Sequence, residues 1–305
     1  MSRKKKNRIL QAIEYGLYRA IAVLVKRVSD ERVFRWGTRL GNLVRRLLRR
    51  RDVLAMKNLR SIYPDRPESE LRTLLDECWR HFGREFLGLV RYQTMSLEEI
   101  VERCPPVNGH LLEEARAEGK GVVLISAHYG GWELGGMAVM ALVDDVRTVV
   151  RPLDNEYLNR DLARMRERTG VAVIDRRRAA RPLMKGLAEN AVVVLVPDQG
   201  VQSREGVLVP FLGRPAWTTD APAKMAVRQG SPIVFVFCIP DGLRHRLVFE
   251  EPIRVDRLTE EERDPVALTA RINEVISRRI AARPELWLWM HDRWKGTGES
   301  EVADG

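Results

Sequence analysis

Apolar residues follow two rhythms along the chain. Up to about residue 102 they recur at helical spacing. Ile9, Ile13, Leu17, Ala20, Ile21, Leu24 and Val28 fall on one stripe of a first helix. The pattern resumes over Arg32–Arg51, predicted as one helix that closes in Arg45, Arg46, Arg49, Arg50 and Arg51. Pro64 and Pro67 break the chain. Ser69–Tyr92 reads as a long packed helix, with His81 a structural residue on it, and Ser96–Glu102 as a short one.

From Leu111 the rhythm becomes an alternation of helix and strand. Short, nearly continuous apolar runs rich in valine and isoleucine stand at Val122–Ile125, Arg147–Val150, Val171–Ile174, Val192–Val196 and Ile233–Ile239. Buried parallel strands have this character. Helical patterns lie between them, at Leu111–Glu118, Leu134–Val143, Leu158–Arg168, Pro182–Glu189 and Ala221–Gln229. Val248–Ile253 adds an edge strand, and Pro265–Ala282 a last helix. The predicted fold is α/β: a central, mostly parallel sheet flanked by helices, with an N-terminal membrane-associating helical section. The division is residues 1–30 for that section, 31–295 for the main domain and 296–305 for a disordered tail. Ligands of such sheets bind beyond the carboxyl ends of the strands. His128, Arg151, Asp175 and Asp198 all stand just past predicted strand ends, so one crevice could hold them.

Charge changes the picture of partners. The net charge of +10 favours anionic ones: lipid, acidic protein or nucleic acid. A nucleic-acid reading lacks a recognition helix or stacking aromatics. At the N-terminus, basic residues flank the apolar run Ile9–Val25, which Glu14 and Arg19 interrupt. Seventeen residues give about 25 Å of helix against a hydrocarbon core of ~30 Å. A basic amphipathic helix lying in a membrane interface fits better than a span or a cleaved signal. Cys78, Cys104 and Cys238 are widely spaced, form no CxxC pair and read as buried thiols of a reducing compartment.

The candidate chemistry centres on Gly121–Gly136, GVVLISAHYGGWELGG. The predicted strand ends, His128 follows, Gly130 and Gly131 loosen the loop, and Glu133 opens a helix. On one continuous helix His128 and Glu133 would point roughly 140° apart. With His128 on the loop and Glu133 on the first turn, the carboxylate could hold one ring nitrogen protonated and leave the other as a base. Ser126 lacks the context of a nucleophile elbow. One histidine and one glutamate do not fill a metal site, so no metal is expected. The glycines form neither dinucleotide nor P-loop patterns.

AHYGGWE resembles the HxxxxD/E motif of glycerolipid and lysophospholipid acyltransferases. Further blocks, NLRSIYPD at 58–65, HFGREFLGL at 81–89, RPLDN at 151–155, VPDQG at 196–200, PFLGRPAWTTDAPAKMA at 210–226 and PELWLWMHDRWK at 284–295, are similar to the lipid A biosynthesis (late) acyltransferase family. Glu133 departs from the aspartate of many relatives. The resemblance implies an O-acyltransferase without a cofactor. His128 would be general base, oriented by Glu133, moving an acyl chain from acyl-carrier-protein or acyl-CoA to a hydroxyl of a lipid A precursor. Phosphatidylinositol mannoside or another glycolipid is the alternative acceptor, and a non-catalytic lipid-binding protein the alternative class. Arg151, Asn155 and the backbone of Gly130 and Gly131 would meet the oxyanion or substrate. Asp198 and Gln199 would either touch substrate or hold the loop. Arg176, Arg177 and Arg178 could meet phosphates, while Trp287, Trp289 and Trp294 pack, His291 is a secondary site candidate, and His110 and His245 lie on the surface. The expected partners are an anionic glycolipid and acyl carrier protein, with no nucleic acid, for a monomer on the cytoplasmic face of a bacterial inner membrane.

Overall fold

A computed structural model of the chain describes residues 8–93, 95–150, 155–161, 172–175 and 179–297. Five helices come first: α1 (Arg8–Lys26), α2 (Asp30–Leu47), α3 (Arg49–Ile62), α4 (Glu68–Tyr92) and α5 (Leu97–Arg103). The helix expected over Arg32–Arg51 is two helices, because the chain turns at Leu48 (φ −98°, ψ 49°). Arg45, at the end of α2, bonds Asp52 of α3 and Asp76 of α4, which holds the corner. α2 and α4 cross at backbone contact. A Cβ on Gly83 would lie 2.2 Å from the Gly37 carbonyl oxygen, so only glycine allows this approach. Ser96 and Glu99 form a capping box that starts α5.

The alternating half follows. In order come β1 (Pro106–Val107), α6 (His110–Ala117), β2 (Val122–Ile125), α7 (Trp132–Leu142), β3 (Val146–Val150) and β4 (Ala172–Asp175). Then come α8 (Ala180–Ala188), β5 (Val192–Leu195), the hairpin β6 (Val207–Phe211) and β7 (Arg214–Thr218), and α9 (Ala221–Gln229). β8 (Ile233–Asp241), β9 (Arg244–Ile253) and α10 (Pro265–Ala282) complete the fold. Residues 156–161 are also helical.

Seven strands make one sheet in the order β1-β9-β8-β2-β5-β3-β4, parallel throughout except for the antiparallel β8–β9 pair. β9 was expected at an edge; β1 pairs with its outer side and takes the edge instead. Alternate residues of each strand face opposite sides. Val123, Ile125 and Phe235 face one layer with α3, α4, α8, α9 and α10, whereas Val122, Leu124 and Val234 face α5, α6 and α7. All four residues of β2 are buried, as expected of a strand covered on both faces.

α1 lies against this body through Val25, which clusters with Val33 and Leu87. The stripe read from the sequence points away: Ile9, Ile13, Leu17 and Leu24 are more than half exposed. No helix among the described residues is long and apolar enough to cross a membrane. Of the expected tail, residues 298–305 lie outside the described residues.

Candidate active site

Register places the central pair of side chains. β2 and β5 are adjacent and parallel, with Ile125 opposite Leu195. Each chain then runs three residues past its strand, to His128 and to Asp198. The two loops stay level, so His128 Nδ1 lies 2.8 Å from Asp198 Oδ1. The peptide N–H of His128 donates to Asp198 Oδ2 at 3.0 Å, and Trp287 Nε1–H donates to the same oxygen at 2.8 Å. Asp198 is 1% exposed and both its oxygens are engaged. It holds the His128 ring and the His128 loop, and protein donors already occupy both its oxygens.

Glu133 was expected to hold the ring; the nitrogen it would have held faces Asp198. The reason is geometric. Glu133 stands on the first turn of α7, on the far side of the Gly130–Gly131 bend, and it is exposed. It acts on His128 by charge alone. Burial opposes a charged His128 ring, but the Asp198 charge and hydrogen bond, with a smaller contribution from Glu133, outweigh it and raise the ring's pKa. Burial likewise opposes the Asp198 carboxylate, yet His128 and Trp287 hold its pKa below the ordinary value. His128 Nε2 has no hydrogen-bond partner among the described residues, and the ring lines a cleft of about 1730 Å³.

The loop itself is held by main chain. Gly130 N–H donates to Leu286 O and Gly131 N–H to Cys238 O, both at 2.9 Å, so these groups are not the oxyanion donors expected of them. Gly130 has φ +59°, and a Cβ there would lie 2.1 Å from Cys238 O. Gly130→Ala should therefore lower unfolding free energy by more than the roughly 1–2 kcal/mol of a left-handed alanine, read from urea unfolding. The C-terminal block lies beneath the loop. Leu288 N–H donates to His128 O, Tyr129 bridges Trp287, and Trp287, Trp289 and Trp294 are buried.

The remaining expected residues separate. Gln199 lines the cleft, with Lys224, Arg228 and Lys295. Asn155 does not: its amide donates to Gln11 O and Glu14 of α1, and its side-chain oxygen accepts the N–H groups of Tyr157 and Leu158. It ties α1 to the helical residues 156–161. Arg151 and Arg176–Arg178 lie outside the described residues. His245, expected at the surface, is buried and bonds Glu85 at 3.0 Å, because the inward face of β9 carries it. A second, apolar groove of about 650 Å³ is lined by Leu40, Val44, Phe82, Phe86, Leu89 and Met290. Arg51, Trp132, Glu133 and His291 line both spaces and form the neck between them. Arg51, which donates to Met290 O at 3.1 Å, was visible in the sequence only as one of a basic cluster.

A buried carboxylate behind a histidine that lines a cleft is an arrangement suited to the base half of a hydrolase or acyl-transfer site. The comparisons agree with acyl transfer. The family model for bacterial lipid A biosynthesis acyltransferases matches residues 1–296, and the chain belongs to that family. It is similar to a lipid A biosynthesis palmitoleoyltransferase of Escherichia coli (strain K12), 28% identical over 274 residues, or 87% of this chain and 86% of that one. A lipid A biosynthesis lauroyltransferase of the same strain is 24% identical over 266 residues, 86% of this chain and 85% of the relative. A phosphatidylinositol mannoside acyltransferase of Mycobacterium tuberculosis (strain CDC 1551 / Oshkosh) is 28% identical over 244 residues, 78% and 75% of the two chains.

Proposed function

We propose that the protein transfers a fatty acyl chain from a thioester, carried on acyl carrier protein or CoA, to a hydroxyl of a lipid A precursor. The observation that carries this reading is the His128–Asp198 pair at a cleft that opens through a neck onto an apolar groove. The acceptor hydroxyl lies against His128 Nε2, which takes its proton as the oxygen attacks the thioester carbonyl. Asp198 keeps the proton of the neutral ring on Nδ1 and stabilises the imidazolium that forms. Glu133 adds negative charge near it. The thiolate leaves and recovers the proton from His128. The apolar groove takes the acyl chain, since its lining is almost wholly carbon whereas the cleft also carries charged and polar side chains. Lys224, Arg228 and Lys295 suit phosphates of a glycolipid or of the donor's pantetheine arm, and Arg51 and Gln199 contact substrate nearer the reacting atoms.

The exposed apolar stripe of α1, with the basic excess of the chain, supports peripheral binding to an anionic membrane. For a bacterial enzyme of this pathway, that is the cytoplasmic face of the inner membrane. The phosphatidylinositol mannoside relative is as similar in identity as the palmitoleoyltransferase, so a mannoside acceptor is the second reading.

The test is transfer of radiolabel from acyl thioesters to defined lipids by purified protein, with lipids of a strain lacking it analysed by mass spectrometry. Label should appear in a lipid A precursor, and the deletion strain should lack one acyl chain there. Label confined to phosphatidylinositol mannoside selects the second reading. No transfer from either thioester to any lipid removes both.

A further inference from the structure

Attack on a thioester carbonyl creates an oxyanion, which needs a donor already in place. The glycine N–H groups of the catalytic loop are engaged by carbonyls, and Asp198 can only accept. Of the described donors at the neck, Arg51 already gives an N–H to Met290 O, whereas His291 offers a neutral N–H of fixed direction. His291 lines both the cleft and the groove. Its backbone is fixed from two sides: its N–H donates to Leu288 O at 3.3 Å, and its carbonyl accepts Asn58 Nδ2–H at 2.9 Å. The same Asn58 amide, buried on α3, holds Trp289 O at 2.9 Å.

The ring is fixed as well. The peptide N–H of Gly200 donates to His291 Nε2 at 3.1 Å. A nitrogen that accepts a peptide N–H carries no proton, so the neutral ring carries its proton on Nδ1. Among the described residues no hydrogen bond engages Nδ1. Gly200 itself is pressed against the C-terminal block: a Cβ there would lie 2.7 Å from Arg293 O. Burial lowers the pKa of His291, Asp198 pulls it upward by less, and His128 pushes it down again. The ring is thus a neutral N–H donor when His128 becomes charged.

We propose that His291 donates its Nδ1–H to the thioester carbonyl oxygen and stabilises the oxyanion formed there. The inference rests on the acyl-transfer reading. In the step, the acceptor oxygen bonds to the carbonyl carbon and its proton passes to His128 Nε2. The carbonyl π pair moves onto oxygen, facing His291. Collapse re-forms the carbonyl and breaks the carbon–sulfur bond, and the thiolate takes the proton from His128. His291 begins and ends with the same proton.

Three variants separate this role from packing. Asparagine places an amide nitrogen near the Nδ1 position, whereas glutamine places its amide at the Nε2 end and leaves carbon at Nδ1. His291→Ala and His291→Gln should lose about 10²–10³ in kcat with KM for the thioester nearly unchanged. His291→Asn should keep most of the activity, and the acid limb of the pH profile should stay where it is in all three. Wild-type kcat in His291→Ala, a change confined to KM, or a loss in His291→Asn equal to that in alanine would each overturn the proposal. Nitrogen-15 spectra of the wild-type histidine rings give a test that needs no variant to fold: His291 should be protonated on Nδ1, and an Nε2–H tautomer overturns the assignment. Active wild type with inactive His128→Asn, beside fully active His291→Ala, removes this inference and leaves the acyl-transfer reading intact. An inactive wild type removes both.

Discussion

His128→Asn lowers acyl transfer by roughly 10²–10⁴-fold while the protein stays folded. Asparagine is the informative choice. Its amide nitrogen replaces Nδ1, so Asp198 Oδ1 keeps a donor, while the atom corresponding to Nε2 is lost. The backbone bonds of residue 128 to Asp198 and Leu288 do not depend on the side chain. The ring is about a quarter exposed, at 24%, so little packing is lost. Thermal unfolding within a few degrees of the wild type, beside a collapsed kcat in the labelled-acyl assay, is the expected result; a rate within threefold of wild type would remove His128 from the mechanism.

The pH dependence of the wild type follows from the same pair. A base must be neutral to act, and the His128 pKa is raised from its ordinary 6.5. The acid limb of kcat/KM should therefore fall with an inflection above 6.5, not below it. The raised value also carries a stability sign. The contribution of the charged ring is complete below the unfolded value near 6.5 and is lost as pH rises through the folded value. For Asp198, held below its ordinary 3.8, the contribution is present above 3.8 and lost as pH falls through the depressed value. These are two views of one interaction and do not add. A kcat/KM inflection below 6.5 would contradict the Asp198 contact.

The sheet and the loop that carries His128 were legible in the sequence because both rest on local pattern. Val122–Ile125 is a continuous apolar run ended by small residues, and β2 has those bounds. Ala221–Gln229 and Pro265–Ala282 are bounded by Asp220 or Asp264 ahead of proline-bearing first turns, and the helices match. What escaped is what depends on pairing across the chain. His128 and Asp198 stand 70 residues apart, the same offset as the β2–β5 register, but strand order cannot be read from apolar runs. Glu133, five residues away, was therefore the nearer candidate for a contact that the neighbouring strand supplies. No strand was expected where the β6–β7 hairpin stands, since prolines at 210 and 215 interrupt the β pattern; both prolines face each other in the register. The corner at Leu48 was invisible because the apolar spacing continues through it. Asn155 looked like a site residue in the RPLDN block, and its amide turns out to serve α1.

Asp198→Asn should lose about 10³–10⁴ in kcat with the fold retained, and the geometry says why. Two donors, the His128 peptide N–H and Trp287 Nε1–H, converge on Oδ2. An asparagine must therefore place its carbonyl oxygen there, because an amide nitrogen would meet two N–H groups. Its NH₂ then occupies the Oδ1 position and donates to His128 Nδ1. The ring responds by carrying its proton on Nε2, the atom that must accept the substrate's proton. The base is thus lost by tautomer, with every buried polar group still paired. Loss of the carboxylate charge should also bring the His128 pKa down, since burial then acts without its main counterweight. Both consequences are measurable in one sample: nitrogen-15 spectra should show His128 moving from the Nδ1–H to the Nε2–H form, and titration should show a lowered pKa. Asp198→Ala separates tautomer from structure, because it leaves Trp287 Nε1 and the His128 N–H buried without an acceptor, and it should cost several kcal/mol of stability, about 3–5 for the broken buried pair. An Asp198→Asn protein that keeps the Nδ1–H tautomer and near-normal kcat would show that Glu133, not Asp198, governs the base.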